Sequence, residues 1–140
     1  MKKFLTLGAL VGMIVSVCMA FISHPPQSAL GASIKRGKAV YTQYCLPCHQ
    51  VDGGGVPNLN PPLMKTKWVL GNKKELINVV LKGMTGEIEI DGETYHNNMP
   101  AHAFLTDQQV ADVLTYVRNS FTNKASAVTV AEVKAVRAKG

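Results

Sequence analysis

The sequence contains few cysteines, and their number excludes several classes of small exported domain. Of its 140 residues only three are cysteine, and Cys18 falls in an apolar N-terminal segment. The remaining pair, Cys45 and Cys48, is too small a set for a disulfide framework. A structural zinc site would need a second Cys or Cys/His pair, which the chain lacks. Internal repeats and low-complexity linkers are also missing, which predicts one small domain over residues 33–140.

Charged residues are also sparse, and their excess is modest. Lysine and arginine total 15 against 9 acidic residues, for a net charge of +6. The basic residues form no stripe interleaved with aromatic residues, and this pattern excludes nucleic acid as a partner.

The N-terminus has the pattern of an export segment. Lys2 and Lys3 precede an uncharged run over residues 4–22, and Ser23, His24 and two prolines follow it. As a helix this run would span about 28 Å, close to the roughly 30 Å of a hydrocarbon core. Residues 1–32 are therefore predicted to be either a signal peptide or an N-terminal membrane anchor. Both outcomes place the domain in a periplasm, soluble or anchored to the outer face of the cytoplasmic membrane.

The motif Cys45-Leu46-Pro47-Cys48-His49 has the spacing that attaches one haem. Two thiols three positions apart can bond to the two vinyl groups at a haem edge, and His49 can then bind the iron from one face. A thioredoxin-type redox pair would instead require a βαβ pattern around the motif, and the chain shows none. The motif predicts a single covalent haem c, with iron, as the cofactor.

Helical signals dominate the rest of the chain, and strand signals are weak. Apolar spacing and capping residues predict helices, while a Gly/Pro-rich stretch after the haem motif predicts an extended loop. The predicted helices cover residues 34–44, 72–83, 106–119 and 130–138, and a small hairpin over 88–95 turns at Asp91-Gly92. The expected fold class is all-α, with three main helices around the haem and a short C-terminal helix.

The iron needs a sixth ligand, and Met99 is the preferred candidate. It lies in a loop fixed by Pro100, so its thioether can be aimed inward, and a Met/His pair is usual in electron-transfer haems. The other two methionines considered, Met64 and Met84, are interpreted as apolar filler. The two histidines considered, His96 and His102, are interpreted as surface loop positions.

These residues together resemble the class I c-type cytochromes over residues 33–119. In that family a glycine and an aromatic residue on the first helix cross an apolar and an aromatic residue on the last. Gly37 and Tyr41 match the first pair, and Val113 and Tyr116 match the second. The hairpin and the C-terminal helix resemble cytochrome modules that serve dehydrogenases and haem-copper oxidases. The resemblance implies a dehydrogenase or a terminal oxidase as the redox partner.

The resemblance also implies roles for two further residues. Pro57-Asn58-Leu59 is similar to the family triplet whose proline carbonyl accepts a hydrogen bond from the proximal imidazole, so Pro57 is expected to orient His49. Trp68, the only tryptophan, is expected either to bond a haem propionate or to pack in the core. Residues 61–63 are expected either to line the haem edge or to form a rigid turn.

Function follows from the occupancy of the iron. If His49 and Met99 both bind it, no position is open to a substrate, and the protein is a one-electron carrier in a periplasmic respiratory or dehydrogenase-linked chain rather than an enzyme. The alternative is a haem enzyme or gas sensor with a labile or open sixth position. A group of lysines indicates either a docking face for an acidic redox partner or an ordinary surface: Lys65, Lys67, Lys73, Lys74 and Lys82.

Overall fold

In the computed structural model of the protein, residues 26–140 are described, and the predicted export run at residues 4–22 lies outside them. Six helices and one small antiparallel sheet make up this part of the chain. In order, they are α1 Pro26–Tyr44, α2 Leu46–His49, α3 Lys67–Leu70, α4 Lys73–Lys82, β1 Ile88–Ile90, β2 Glu93–Tyr95, α5 Asp107–Arg118 and α6 Val130–Arg137. No helix among these residues is both long and apolar enough to cross a membrane.

The predicted all-α architecture is confirmed, and the capping residues explain where its helices begin. The Asn72 side chain accepts a hydrogen bond from the Lys74 backbone amide at the start of α4. Thr106 and Thr129 each form a reciprocal capping box at the start of α5 and α6. The hairpin is confirmed as well, and its turn residues Asp91 and Gly92 have φ of 53° and 85°, as a two-residue type I′ turn requires.

The structure differs from the prediction in the length of the first helix and in two short helices. Helix α1 begins at Pro26, eight residues before the predicted start at Ile34. Residues 29–32 are exposed, so this turn carries no apolar stripe that a periodicity argument can detect. Helices α2 and α3 have only four residues each and are too short to show periodicity.

Helices α1 and α5 cross at a glycine. A Cβ atom on Gly37 would collide with the carbonyl oxygen of Asp112 and lie 2.8 Å from Cβ of Tyr116. Beside this contact the rings of Tyr41 and Tyr116 pack with their centroids 5.3 Å apart, and Val113 is almost fully buried. The predicted crossing of the first and last family helices is confirmed. Because α1 leads directly into α2, this crossing fixes the position of the haem motif.

A buried carboxylate reinforces the crossing. Asp112 on α5 is 2% exposed and accepts two hydrogen bonds from Arg36 on α1, at 2.7 and 2.8 Å. Ser33 donates a third hydrogen bond, at 2.6 Å. Burial alone would raise the pKa of Asp112, but these donors outweigh it and hold the pKa below its usual value. The carboxylate is therefore charged and paired at neutral pH.

Helix α6 packs against α4 and α5 and uses one of the lysines of the predicted docking face. Its Val133 is fully buried, and its Glu132 accepts a hydrogen bond from Lys73 Nζ at 2.9 Å. Lys73 also donates to the Ala127 carbonyl oxygen, at 2.7 Å. Lys73 is 25% exposed and its charge is paired with Glu132, and the docking face stays a prediction.

Candidate functional site

Most of the predicted site residues line a single apolar cavity between the haem motif and the loop that follows the hairpin. Its lining includes Cys45, Cys48 and His49 of the motif, together with Trp68 and Met99. The apolar side of α5 closes the cavity at the back, through Val113, Leu114 and Val117. Chain segments up to 72 residues apart in sequence, from Cys45 to Val117, thus converge on one space.

The two thiols of the motif are carried by the end of α1 and by α2. The His49 backbone amide donates to the Cys45 carbonyl at 2.9 Å, which places Cys45 and His49 one helical turn apart. Burial, with the neighbouring Cys48, raises the pKa of the Cys45 thiol to about 11. A reactive redox cysteine needs a lowered pKa instead. Within residues 26–140, no group of three or more His, Cys, Asp or Glu side chains is placed to hold a metal ion.

His49 is held in one tautomer by the backbone. It is 9% exposed, and its Nδ1 lies 3.0 Å from the carbonyl oxygen of Pro61. A carbonyl oxygen only accepts, so the proton is on Nδ1, and Nε2 of the neutral ring keeps its lone pair for a metal. Burial lowers the pKa of His49, and the hydrogen bond to Pro61 raises it by a smaller amount. The net lowering keeps the ring neutral.

The predicted role of Pro57 was wrong, and the turn around it gives the reason. Val56 and Asn60 exchange two backbone hydrogen bonds of 2.8 and 2.9 Å, so the chain reverses between them and Pro57 is exposed on this turn. The returning chain then brings the carbonyl group of Pro61 to His49. The hydrogen-bonded turn decides that Pro61 rather than Pro57 meets His49, and a triplet motif alone does not predict this turn.

Three of the candidate sixth ligands line the same cavity as His49. Met99 and Met84 both line the cavity, and so does His102, which the sequence placed at a surface loop position. The other two candidates lie elsewhere. Met64 is 38% exposed and is not part of the lining, and His96 is exposed and bonded to Glu87 at 2.9 Å.

Two buried polar atoms show what kind of molecule the cavity suits. Among the described residues, Trp68 Nε1 and His102 Nδ1 are the buried side-chain atoms without a hydrogen-bond partner, and both residues line the cavity. Buried polar groups are nearly always paired. A ligand with an apolar body and polar substituents would fill the space and give such groups partners. Haem, with its flat macrocycle and two propionates, meets this description, and the paired thiols meet its vinyl groups.

Arg118, at the end of α5, was missed by sequence reasoning. It is 3% exposed, and its guanidinium donates to the Val69 carbonyl in α3 and to the Ser126 carbonyl after α5. These bonds tie the helix that carries Trp68 to the C-terminal segment. The sequence did contain a sign of this role: Arg118 lies within the otherwise apolar stripe of α5. A buried charge at such a position destabilises the fold unless it is hydrogen-bonded.

Comparison with known proteins agrees with this geometry. Residues 34–121 match the family model described as cytochrome c. Cytochrome c-552 of Thermus thermophilus is 35% identical over 112 residues, which cover 74% of this chain and 85% of the relative. Cytochrome c6 of Thermostichus vulcanus is 36% identical over 110 residues, covering 74% of this chain and 87% of the relative. The cytochrome c subunit of the quinone alcohol dehydrogenase from Gluconacetobacter polyoxogenes is 35% identical over 114 residues, 74% of this chain but only 23% of that subunit. The chain therefore belongs to the cytochrome c family, whose members are electron carriers or redox subunits with one covalently bound haem c and its iron.

Proposed function

We propose that this protein transfers single electrons through a low-spin haem c that is attached to Cys45 and Cys48 and has His49 and Met99 as its axial ligands. The observation that carries the proposal is that one cavity has both residues in its lining: His49, whose Nδ1–H is bonded to Pro61, and Met99, from the loop after the hairpin. When bound, the haem supplies a one-electron couple between ferrous and ferric iron.

The protein residues around the cavity set the conditions for that couple. Apolar side chains such as Val113 and Leu114 exclude water, which disfavours the extra charge of the oxidised form. The Pro61 carbonyl keeps the His49 ring in the metal-binding tautomer. A thioether in the sixth position raises the reduction potential relative to a second imidazole. In this proposal the Trp68 Nε1–H donates to a haem propionate.

We further propose that the carrier acts outside the cytoplasmic membrane, with residues 1–32 as its signal peptide or anchor and 33–140 as its haem domain. Its partners would be a dehydrogenase or a terminal oxidase in a respiratory or dehydrogenase-linked chain. The named dehydrogenase cytochrome subunit among the relatives supports this class of partner. Cys48 is exposed, so the haem edge that it carries would be open to a partner. Four exposed lysines support an acidic docking partner and a salt-sensitive association: Lys65, Lys67, Lys74 and Lys82.

The test uses the full chain produced in a host that matures c-type cytochromes. Mass measurement should show one haem adduct and should locate the mature N-terminus. The ferric spectrum should be low-spin with the charge-transfer band of a thioether–iron bond, and the ferrous protein should bind carbon monoxide slowly. Met64→Ala is a matched control, since Met64 lies outside the cavity, and it should leave both properties unchanged. A high-spin spectrum with rapid carbon monoxide binding would instead support an enzyme or gas sensor with an open iron.

A further inference from the structure

Met84 and Met99 are paired directly across two chain segments. The Met84 amide donates to the Met99 carbonyl and the Met99 amide donates to the Met84 carbonyl, each at 2.9 Å. In an antiparallel pair of this kind the Cα atoms lie about 5.5 Å apart and the two side chains point to the same side. Both residues line the cavity, so one backbone pair brings two thioethers to it.

Met84 does not fit the role of apolar filler that its sequence position indicated. Met99 packs against the buried hydrophobic core, whereas Met84 is not among the core-packed side chains of the described residues. Its half-buried side chain lines the cavity instead. A methionine has three rotatable side-chain bonds and no branch, so its sulfur can move within such a space at little cost.

The third potential ligand that lines this cavity, His102, is less suited to bind the iron. A histidine that binds a metal through one ring nitrogen nearly always donates its other N–H to a carbonyl or carboxylate group. His49 has this arrangement, with Pro61 as the acceptor. His102 Nδ1 has no hydrogen-bond partner within the described part of the protein, so binding through Nε2 would leave its N–H without a protein acceptor of the kind that Pro61 gives His49.

We infer that Met84 is a second thioether ligand for the sixth iron position, which binds when Met99 cannot. The inference rests on the proposed His49/Met99 ligation and extends it: the cavity holds two alternative sulfur ligands, Met99 and Met84, rather than one. The physical basis is that a single backbone pair presents both side chains to the same cavity, and that neither ligand depends on a hydrogen-bond partner.

Three variants of the full holoprotein test the inference: Met84→Leu, Met99→Ala and the double variant Met84→Leu/Met99→Ala. Leucine preserves the volume of Met84 but removes the sulfur. The haem stays attached in all three because the cysteines hold it covalently, and mass measurement verifies this. The readouts are the thioether charge-transfer band of the ferric protein and the rate at which the ferrous protein binds carbon monoxide.

We expect Met84→Leu to keep the band. Met99→Ala should keep a shifted thioether band and bind carbon monoxide slowly. The double variant should lose the band and bind carbon monoxide at least tenfold faster than Met99→Ala. Loss of the band in Met99→Ala alone would overturn the inference and leave the proposed electron carrier intact. A low-spin Met99→Ala spectrum without the band would point to His102 and would also overturn it. Loss of the band in Met84→Leu would make Met84 the resting ligand and contradict both the inference and the assignment of Met99.

Discussion

Gly83→Ala should specifically disturb the backbone pair of Met84 and Met99, because Gly83 lies where the segments of these two residues meet. Its φ is +75°, a region that side chains rarely adopt. A Cβ atom at this position would collide with the Met99 carbonyl oxygen and lie 2.9 Å from the amide nitrogen of Ala101 and 3.0 Å from the carbonyl carbon of Pro100. All three contacts are with backbone, which cannot rotate away as a side chain can.

The expected cost has two parts. With φ of 75° and ψ of −171°, Gly83 lies in a backbone region that is nearly confined to glycine, which costs an alanine about 1–3 kcal/mol, and overpacking against backbone adds about 1–3 kcal/mol. Gly92→Ala is the matched control: Gly92 has a φ of +85° but nothing within 4 Å of its Cβ position. It should lose about 1–2 kcal/mol, whereas Gly83→Ala should lose about 2–6 kcal/mol of the free energy of unfolding.

The assay combines guanidinium unfolding, followed through Trp68 as the only tryptophan, with the ferric spectrum and a redox titration. Gly83→Ala should weaken the thioether band and lower the reduction potential, because under the proposed ligation a displaced Met99 would bind the iron less well. Gly92→Ala should leave both unchanged. If the two variants lose equal stability and both keep the band, the backbone contact at Gly83 does not position the backbone pair of Met84 and Met99, and the reasoning fails.

Two further predictions concern groups away from the iron ligands. Arg36→Ala should lower the free energy of unfolding at pH 7 by about 1–3 kcal/mol, because it leaves the buried Asp112 carboxylate short of donors. The folded-state pKa of Asp112 is depressed, so this stability is present above its unfolded pKa of about 3.9 and is lost as pH falls through the folded value. Denaturant melts should therefore show the variant and the wild type converging below about pH 4, and a pH-independent difference would contradict the pairing. Trp68→Phe should destabilise the holoprotein by about 1–2 kcal/mol in melts followed by circular dichroism, because it removes the N–H that we propose donates to a haem propionate. Equal or greater stability would show that this N–H has no partner.

The haem motif could be predicted from sequence because its chemistry is local. Cys45, Cys48 and His49 lie within one helical turn, so their spacing alone brings the thiols and the imidazole together. Capping is also local, and the starts of α4, α5 and α6 followed from Asn72, Thr106 and Thr129. The extension of α1 back to Pro26 could not be predicted, since residues 29–32 are exposed and show no periodicity.

By itself the sequence determined the cofactor class and the order of the helices, because both depend on residues within a few positions of one another. Only the tertiary structure decided which proline carbonyl meets His49, which side chains share the cavity with Met99, and which lysine is paired with Glu132. Those contacts join residues that are separated by a turn, a hairpin or a whole helix. Their geometry depends on how the chain packs, and no local spacing specifies it.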